Sequence, residues 1–235
     1  MTSPDEPAGL RVAVLTAMPE DERGGTALIL LHGWGAPGDD MVGLGQLLAR
    51  PGTRVFAPAG PLPEFGGGRA WWRLEPDTRP AWAWDDQPPA DHVPNALVTA
   101  AREAVLGLLA TVRARYAPEA VVVAGFSQGA MLALDVALRA EAGVDRVAAL
   151  SGVLLADSLA GLHAPGPRRP RVLVAHGRTD AQVPFPGGEQ ARDLLDRYGY
   201  DVTWRPFDGG HDIPPEIVAA LDTFVFADPE PSATD

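Results

Sequence analysis

The sequence predicts an α/β fold in which a doubly wound, mostly parallel sheet carries helices on both faces. Apolar runs of strand length alternate with longer stretches in which apolar residues recur every three or four positions. The chain has 235 residues, which is enough to bury a substantial core in a single domain, predicted over residues 9–226. No long apolar insertion lies between residues 140 and 171, so we expect no large cap domain.

The predicted strands are short runs rich in Val, Leu and Ala. Residues 10–17 and 26–31 form the first two strands, and the acidic, glycine-ending segment MPEDERGG separates them. This arrangement indicates either an opening hairpin or an antiparallel edge of the sheet. The later strands are predicted at residues 53–57, 120–124, 146–150, 171–175 and 201–206.

The predicted helices lie between these strands, as the crossovers of a parallel sheet require. The apolar spacing places them at residues 39–50, 93–116, 128–142, 187–198 and 214–226. Residues 1–8 and 227–235 are rich in proline and acidic residues, and we expect them to be flexible tails.

One long segment, residues 60–92, interrupts this alternation, and we call it the Trp-rich loop. It contains four of the six tryptophans of the chain, at Trp71, Trp72, Trp82 and Trp84. Loops of this length are typically binding loops or disordered linkers, and the aromatic residues argue against disorder. The tryptophans either form a satellite core or line an apolar substrate cleft, and one loop can do both.

The composition excludes several kinds of chemistry. The chain has no cysteine, so it can form no disulfide, no thiolate metal site and no cysteine nucleophile. All 19 basic residues are arginine, which excludes a Schiff-base lysine and the lysine of a phosphate-binding P-loop. Covalent catalysis would therefore depend on a hydroxyl or a carboxylate.

Charge and hydropathy restrict the partners. A net charge of −12 and an isoelectric point near 4.8 disfavour nucleic acid and anionic membrane surfaces. No apolar run approaches the ~18 residues of a membrane span, and the sequence starts without the features of a secretion signal. We therefore predict a cytoplasmic protein that acts on a small molecule, either as a monomer or as a homodimer.

The strongest motif is GFSQG at residues 125–129, which follows the apolar strand AVVVA and begins a helical stretch. A GxSxG sequence in this context predicts a tight strand-to-helix turn that presents Ser127 as a nucleophile. The glycines on either side allow the strand and the helix to approach each other closely. The alternative interpretation is a glycine-rich turn in which Ser127 only caps the helix.

A serine nucleophile needs a base, and His211 is the best candidate. It lies in DGGHD, after the last predicted strand, on a glycine-rich loop at the same edge of the sheet. The other histidines either follow an apolar strand directly or lie in irregular segments: His32, His176, His92 and His163.

The carboxylate that orients the base is predicted to be Asp180, which follows the strand before His211. Asp157 is the rival, although a role at a helix end is the simpler account of this residue. Asp208 and Asp212 lie too close to His211 in sequence to reach behind its ring, and they are typical turn formers.

A tetrahedral intermediate also needs main-chain N–H donors. The amide of Gln128 directly follows the nucleophile, and the loop HGWG after strand 26–31 offers the amide of Trp34. His32 is interpreted as a residue that shapes this loop through internal hydrogen bonds rather than as an acid or a base.

Four segments, LLHGWGAPGDDMVGL, GFSQGAMLALDVAL, HGRTDAQVPF and GGHDIPPEIV, occur in this order. Together they resemble the phospholipase/carboxylesterase family of α/β hydrolases, which includes bacterial carboxylesterases and acyl-protein thioesterases. The resemblance covers about residues 26–226. It implies that Ser127 is the nucleophile, Asp180 the acid and His211 the base, with oxyanion donors at Trp34 and Gln128. The Trp-rich loop departs from the short loop typical of acyl-protein thioesterases.

The sequence therefore predicts a serine hydrolase that cleaves carboxylic esters of short to medium acyl chains, with no metal or organic cofactor. Substrate contacts are predicted at Trp34, Trp71, Trp72 and Val183. The alternatives are a thioesterase or lysophospholipase that uses the same groups, a serine peptidase, and a non-enzymatic ligand-binding relative.

Overall fold

The computed structural model describes residues 9–19, 22–74, 82–83, 85–88, 90–163 and 169–227. The predicted tails lie outside the described residues, except for Ala227, and so does Trp84.

The strands form one large sheet and one small hairpin. Their bounds are β1 (Val12–Thr16), β2 (Thr26–Leu31), β3 (Thr53–Pro58), β4 (Leu62–Pro63), β5 (Arg69–Ala70), β6 (Ala120–Phe126), β7 (Arg146–Leu150), β8 (Arg171–Gly177) and β9 (Val202–Phe207). Seven of them form a sheet in the order β1-β3-β2-β6-β7-β8-β9, and β4 pairs with β5. Every neighbouring pair of the large sheet is parallel except β1 with β3. The predicted doubly wound, mostly parallel sheet is confirmed.

Of the two arrangements predicted for the first two strands, the opening hairpin is wrong and the antiparallel edge is correct. Strand β1 pairs with β3, not with its sequence neighbour β2. The side chain of Arg54, on β3, donates hydrogen bonds to the carbonyl oxygens of Pro19 (2.7 Å) and Glu22 (2.9 Å). The connection between β1 and β2 is thereby held across β3, which separates the two strands.

The helices lie close to their predicted positions. They are α1 (Val42–Leu48), α2 (Ala96–Tyr116), α3 (Gln128–Ala137), α4 (Leu159–His163), α5 (Phe185–Arg197) and α6 (Pro215–Phe226). Helix α2 begins later than predicted because the side chain of Asn95 accepts hydrogen bonds from the amides of Leu97 and Val98 and caps it. Helix α4 has five residues, too few for a periodic pattern to reveal it.

Two hydrophobic cores cover the two faces of the sheet. Because side chains alternate along a strand, Ile29 and Leu31 of β2 enter one core and Leu28 and Leu30 enter the other. The first core contains buried residues of α2, α3 and α5, and the second contains those of α1 and α6. Helices on both faces, as predicted, leave the carboxyl ends of the parallel strands as the edge where a site can form.

We expect Gly129→Ala to lower the free energy of unfolding by about 1–3 kcal/mol, because the added methyl group would clash with β2 and α3 cannot move away from β2 without losing its packing. A Cβ atom at Gly129 would lie 2.2 Å from the carbonyl oxygen of Leu31. Gly43→Ala, in the exposed face of α1, is the matched control because nothing lies within 4 Å of its Cβ position. That control should gain about 0.5–1 kcal/mol. Urea unfolding of both variants measures the difference, and equal stabilities would contradict this account of the close approach.

Candidate active site

Ser127 lies on a strained turn between β6 and α3. Its backbone has φ 54° and ψ −118°, a conformation that residues other than glycine rarely adopt. A Cβ atom at Gly125 would lie 2.1 Å from the carbonyl oxygen of Gly129, so the turn requires a glycine there. Within the described chain the Ser127 hydroxyl makes no capping hydrogen bond to α3, which disfavours the interpretation of this residue as a simple helix cap.

The structure brings Asp180 and His211 into contact. The distance between Asp180 Oδ2 and His211 Nδ1 is 2.7 Å, and the Asp180 side chain is fully buried. The other carboxylate oxygen accepts hydrogen bonds from the amides of Gln182 (2.9 Å) and Val183 (2.8 Å). An ionised Asp180 accepts all three hydrogen bonds when Nδ1 of His211 carries the proton, and Nε2 is then left as an acceptor.

Two loops position this pair. The loop after β8 carries Asp180 and the loop after β9 carries His211. The amide of Arg178 donates to the carbonyl oxygen of Phe207 (2.9 Å), and the amide of Thr179 donates to that of Gly209 (3.0 Å). These hydrogen bonds continue the pairing of the two strands, so the carboxylate and the imidazole are held by one rigid unit.

Ser127 and His211 line the same pocket, but within the described residues no hydrogen bond joins the Ser127 hydroxyl to His211. The rings of Phe126 and His211 lie 4.7 Å apart between centroids, so the imidazole packs against the residue that precedes the serine. Catalytic hydrogen bonds are often long in unliganded enzymes and tighten when substrate binds.

The rival carboxylates lie elsewhere. Asp157 accepts a hydrogen bond from the amide of Asn95 (2.7 Å) and lies 3.6 Å from Nε2 of His92, beside the start of α2. Burial raises the pKa of Asp157. The side chain of Asp208 is exposed and pairs with Arg178, and Asp212 is also exposed. Among the described carboxylates, Asp180 is the one hydrogen-bonded to His211.

The loop after β2 lies against the Ser127 turn. A Cβ atom at Gly33 would lie 3.4 Å from Cβ of Ser127, which shows how closely the two segments approach. Trp34 and Gln128 both line the pocket. Within the described chain, neither amide donates to another main-chain group.

His32 holds the loop after β2 through internal hydrogen bonds, as expected. One ring nitrogen, Nδ1, is 2.7 Å from the carbonyl oxygen of Gly33, and the other, Nε2, accepts from the amide of Gly60 at 2.8 Å. Its ring is buried and stacks on Trp71 with centroids 5.2 Å apart. Burial lowers the pKa of His32, so the neutral ring with a proton on Nδ1 satisfies both contacts.

The lowered pKa of His32 predicts acid-sensitive folding. Below pH 6.5 the unfolded chain binds a proton at His32 more readily than the folded chain does, because the pKa is lowered by folding. Protonation therefore favours the unfolded chain, and stability is lost as the pH falls. We expect His32→Gln to be less stable than the wild type at pH 7.5 but to lose less stability between pH 7.5 and 5.5. Thermal melts across this range measure the effect, with His163→Gln as an exposed-histidine control. If His32→Gln lost as much stability between pH 7.5 and 5.5 as the wild type does, the prediction would be contradicted.

The pocket above Ser127 has a volume of about 620 Å³, a size typical of small-molecule sites. Sixteen of the described residues line it: Gly33, Trp34, Gly35, Ala36, Asp40, Trp72, Leu74, Trp82, Phe126, Ser127, Gln128, Met131, Leu155, Gln182, Val183 and His211. Nine of these residues have aromatic or aliphatic side chains, and the polar side chains are those of Asp40, Ser127, Gln128, Gln182 and His211.

The predicted substrate contacts are corrected for one residue. Trp34, Trp72 and Val183 line the pocket, but Trp71 is not among the described residues that do. Trp71 is 1% exposed, and its indole N–H donates to the carbonyl oxygen of His32 (2.9 Å). The ring of Trp71 therefore packs in the core. Trp72 is buried in the same core, and it also lines the pocket. The interpretation of the Trp-rich loop as a satellite core is supported by the burial of Trp71 and Trp72, and the interpretation as the lining of a substrate cleft stays a prediction.

Sequence reasoning did not identify Leu155 and Met131, which line the pocket. Trp82 and Leu155 form an isolated antiparallel bridge, and the amide of Ala83 donates to the carbonyl oxygen of Leu154 at 2.9 Å. The Trp-rich loop is thereby pinned to the segment after β7. Met131 lies one turn along α3 from Ser127, a position that the helical period could have revealed.

The described residues contain no group of three or more His, Asp or Glu side chains that could hold a metal ion. None of the helices in the described part of the chain is both long and apolar enough to cross a membrane.

Solved structures of similar fold include esterases and thioesterases. Esterase PE8 is 28% identical to this chain, with a TM-score of 0.75 and coverage of 92% of this chain and 97% of that protein. The carboxylesterase of Mesorhizobium loti is 21% identical, with a TM-score of 0.71, and the match covers 97% of this chain and 100% of that protein. Acyl-protein thioesterase 2 of Zea mays is 22% identical, with a TM-score of 0.67, and the match covers 92% of this chain and 97% of that protein. The last two show the fold alone.

Two fungal proteins and one family model are similar in sequence. Acyl-protein thioesterase 1 of Gibberella zeae is 33% identical over 112 residues, which are 46% of this chain and 48% of the relative. Acyl-protein thioesterase 1 of Neurospora crassa is 32% identical over 109 residues, which are 45% and 44%. The chain thus spans about half the length of these relatives. The Phospholipase/Carboxylesterase family model matches residues 15–227, and the chain belongs to this family of hydrolases.

Proposed function

We propose that this protein is a serine esterase that cleaves carboxylic esters of short to medium acyl chains through an acyl-enzyme intermediate. One observation carries the proposal: Ser127, on a strained turn, shares a pocket with a His211 ring that is hydrogen-bonded to a buried Asp180. This combination of nucleophile, base and orienting carboxylate is the one that activated serine hydrolases require.

In the proposed acylation, the Ser127 hydroxyl attacks the ester carbonyl while Nε2 of His211 accepts its proton. The electron pair of the carbonyl moves to the oxygen, which accepts hydrogen bonds from the amides of Trp34 and Gln128. The intermediate collapses, the bond to the alcohol oxygen breaks, and His211 returns the proton to the leaving alcohol. Asp180 keeps the imidazole oriented and stabilises its charged form.

In the proposed deacylation, water attacks the acyl-enzyme as His211 accepts one of its protons. The bond to Ser127 then breaks, and the proton returns to the serine oxygen as the carboxylic acid leaves. No step requires a metal ion or an organic cofactor.

The shape of the pocket supports short and medium acyl chains. Its apolar wall is formed by Trp72, Trp82, Met131 and Leu155, and Trp82 is held in place by its bridge to Leu155. A cavity of about 620 Å³ with this apolar wall supports an acyl chain of limited length. We propose Trp34, Trp72 and Val183 as substrate-contacting residues.

Hydrolysis of p-nitrophenyl esters with two to sixteen acyl carbons tests the proposal. We expect kcat/KM to be highest for short or medium chains and to fall for the longest ones. In Trp82→Ala the optimum should move to longer chains because the wall is removed, whereas Phe65→Ala, which changes a fully exposed ring outside the pocket, should match the wild type. Absence of turnover with every ester would refute the proposal, and an unchanged optimum in Trp82→Ala would refute the role of the wall.

A thioesterase is the second candidate, because the two fungal relatives bear that name and the same groups would perform the reaction. Matched oxygen and thiol esters of the same acyl chain separate the two activities. We expect kcat/KM to be larger for the oxygen ester, and a clear preference for the thioester would favour the second candidate.

A further inference from the structure

The side chain of Gln128 makes two hydrogen bonds that the proposed reaction does not use. Its Oε1 accepts from the amide of Trp71 at 2.9 Å, and its Nε2 donates to the carbonyl oxygen of Trp72 at 2.8 Å. The residue is 2% exposed. A buried carboxamide that serves as donor and acceptor at once fixes the main chain on either side of Trp71 against the start of α3.

Trp71 connects the same segment to the loop after β2. Its indole N–H donates to the carbonyl oxygen of His32 at 2.9 Å, and its ring stacks on that of His32. His32 lies two residues before Trp34 and contacts the carbonyl oxygen of Gly33. The segment at residues 71–72 therefore touches both loops that carry the proposed oxyanion amides.

We infer that the side chain of Gln128 is a positioning group that sets the separation of the amides of Trp34 and Gln128 by tying both loops to one segment. The inference rests on the proposed function. Oxyanion donors act only when they lie 2.7–3.1 Å from the oxygen that develops charge, so a small displacement weakens them in the transition state. The substrate ground state is bound mainly by the side chains of the pocket wall, whereas these hydrogen bonds hold main-chain atoms of Trp71 and Trp72.

The inference explains why a glutamine suits this position. Glutamate would keep the acceptor for Trp71 but would place a negative oxygen against the carbonyl of Trp72, beside a developing oxyanion. Methionine has a similar shape but replaces neither hydrogen bond well. Methionine thus removes both hydrogen bonds, glutamate removes only the donated one, and both substitutions retain the main-chain amide of residue 128.

The test compares Gln128→Met with Gln128→Glu in steady-state hydrolysis of a p-nitrophenyl ester. Active sites are first counted by fluorophosphonate labelling, so that kcat refers to folded enzyme. We expect kcat to fall about 10- to 100-fold in Gln128→Met with KM changed by less than about twofold, and kcat to fall further in Gln128→Glu. Affinity for a boronic acid that forms a tetrahedral adduct should fall with kcat/KM.

Ser158→Ala is the matched control for the loss of a buried hydrogen bond. The Ser158 hydroxyl donates to Asp135 at 2.9 Å and lies outside the pocket lining. This control should keep the wild-type kcat and boronic acid affinity even if it melts at a lower temperature. Equal kcat per active site in Gln128→Met and in the wild type would overturn the inference.

A third variant serves if both Gln128 variants fail to fold. Trp71→Phe removes the indole donor to His32 while retaining the main-chain contacts with Gln128, and it should lower kcat with little change in KM. Unchanged kcat in a folded Trp71→Phe would then overturn the inference. Wild-type protein that shows neither labelling nor ester turnover would refute the proposed function itself, and the inference with it.

Discussion

Replacing Ser127 by alanine should lower kcat/KM for p-nitrophenyl butyrate by about 10³- to 10⁶-fold and abolish labelling by a fluorophosphonate. The hydroxyl is the proposed nucleophile, and an alanine at this position cannot form the acyl-enzyme. Alanine and serine bear similar strain at φ 54°, so the melting temperature should change little. The loss of activity would then be a loss of chemistry rather than of structure.

Ser151→Ala is a matched control for this experiment. Ser151 follows β7 with φ 52°, is buried, and does not belong to the described lining of the pocket. We expect its activity to stay within about threefold of the wild type, as for most changes away from the reacting atoms. Retention of turnover and labelling in Ser127→Ala would remove the nucleophile assignment.

Replacing Asp180 by asparagine should lower kcat by about 10²- to 10⁴-fold, with a smaller change in KM. Both carboxylate oxygens of Asp180 accept hydrogen bonds, one from His211 and the other from the amides of Gln182 and Val183. An asparagine NH₂ group in place of Oδ1 would face the amides of Gln182 and Val183, which can only donate, so we expect the NH₂ group to face Nδ1 of His211, which can become an acceptor. The variant would therefore favour the wrong tautomer of His211, with the proton on the nitrogen that should accept from Ser127.

Asp157→Asn tests the rival carboxylate under the same conditions. Asp157 is buried beside His92 and the start of α2, so its replacement should leave kcat for the ester within about threefold of the wild type. Burial already raises the pKa of this group, and a neutral amide at this place avoids the desolvation of a charge. If Asp157→Asn lost more activity than Asp180→Asn, the assignment of the orienting carboxylate would have to be reversed.

The fold was predictable to the extent that its signals are local. Strands β2 and β7 have the predicted bounds because continuous apolar runs end at turn residues. The hydrophobic period predicted the long helix α2, but its first residue depends on the cap formed by Asn95. The choice between a hairpin and an antiparallel edge for β1 was left open. Both arrangements have the same local pattern, and only the partner strand differs.

Some residues of the candidate site could be predicted from the sequence, and others could not. Ser127, Asp180 and His211 could be proposed because each follows a strand whose carboxyl end lies at one edge of a parallel sheet. The order of these residues along the chain is therefore informative. No comparable rule exists for Trp71 and Trp72, which are adjacent in sequence but differ in that only Trp72 lines the described pocket.

The sequence by itself determined the strand and helix periods, the glycine-flanked turn at Ser127 and the chain order of the proposed catalytic groups. These features depend on backbone sterics and on the alternation of apolar residues within a few positions. The tertiary structure decided which strand pairs with β1 and that Trp72 rather than Trp71 lines the described pocket. It also decided that the Gln128 side chain holds a segment more than fifty residues away. Such contacts arise from the packing of distant segments, which no local pattern encodes.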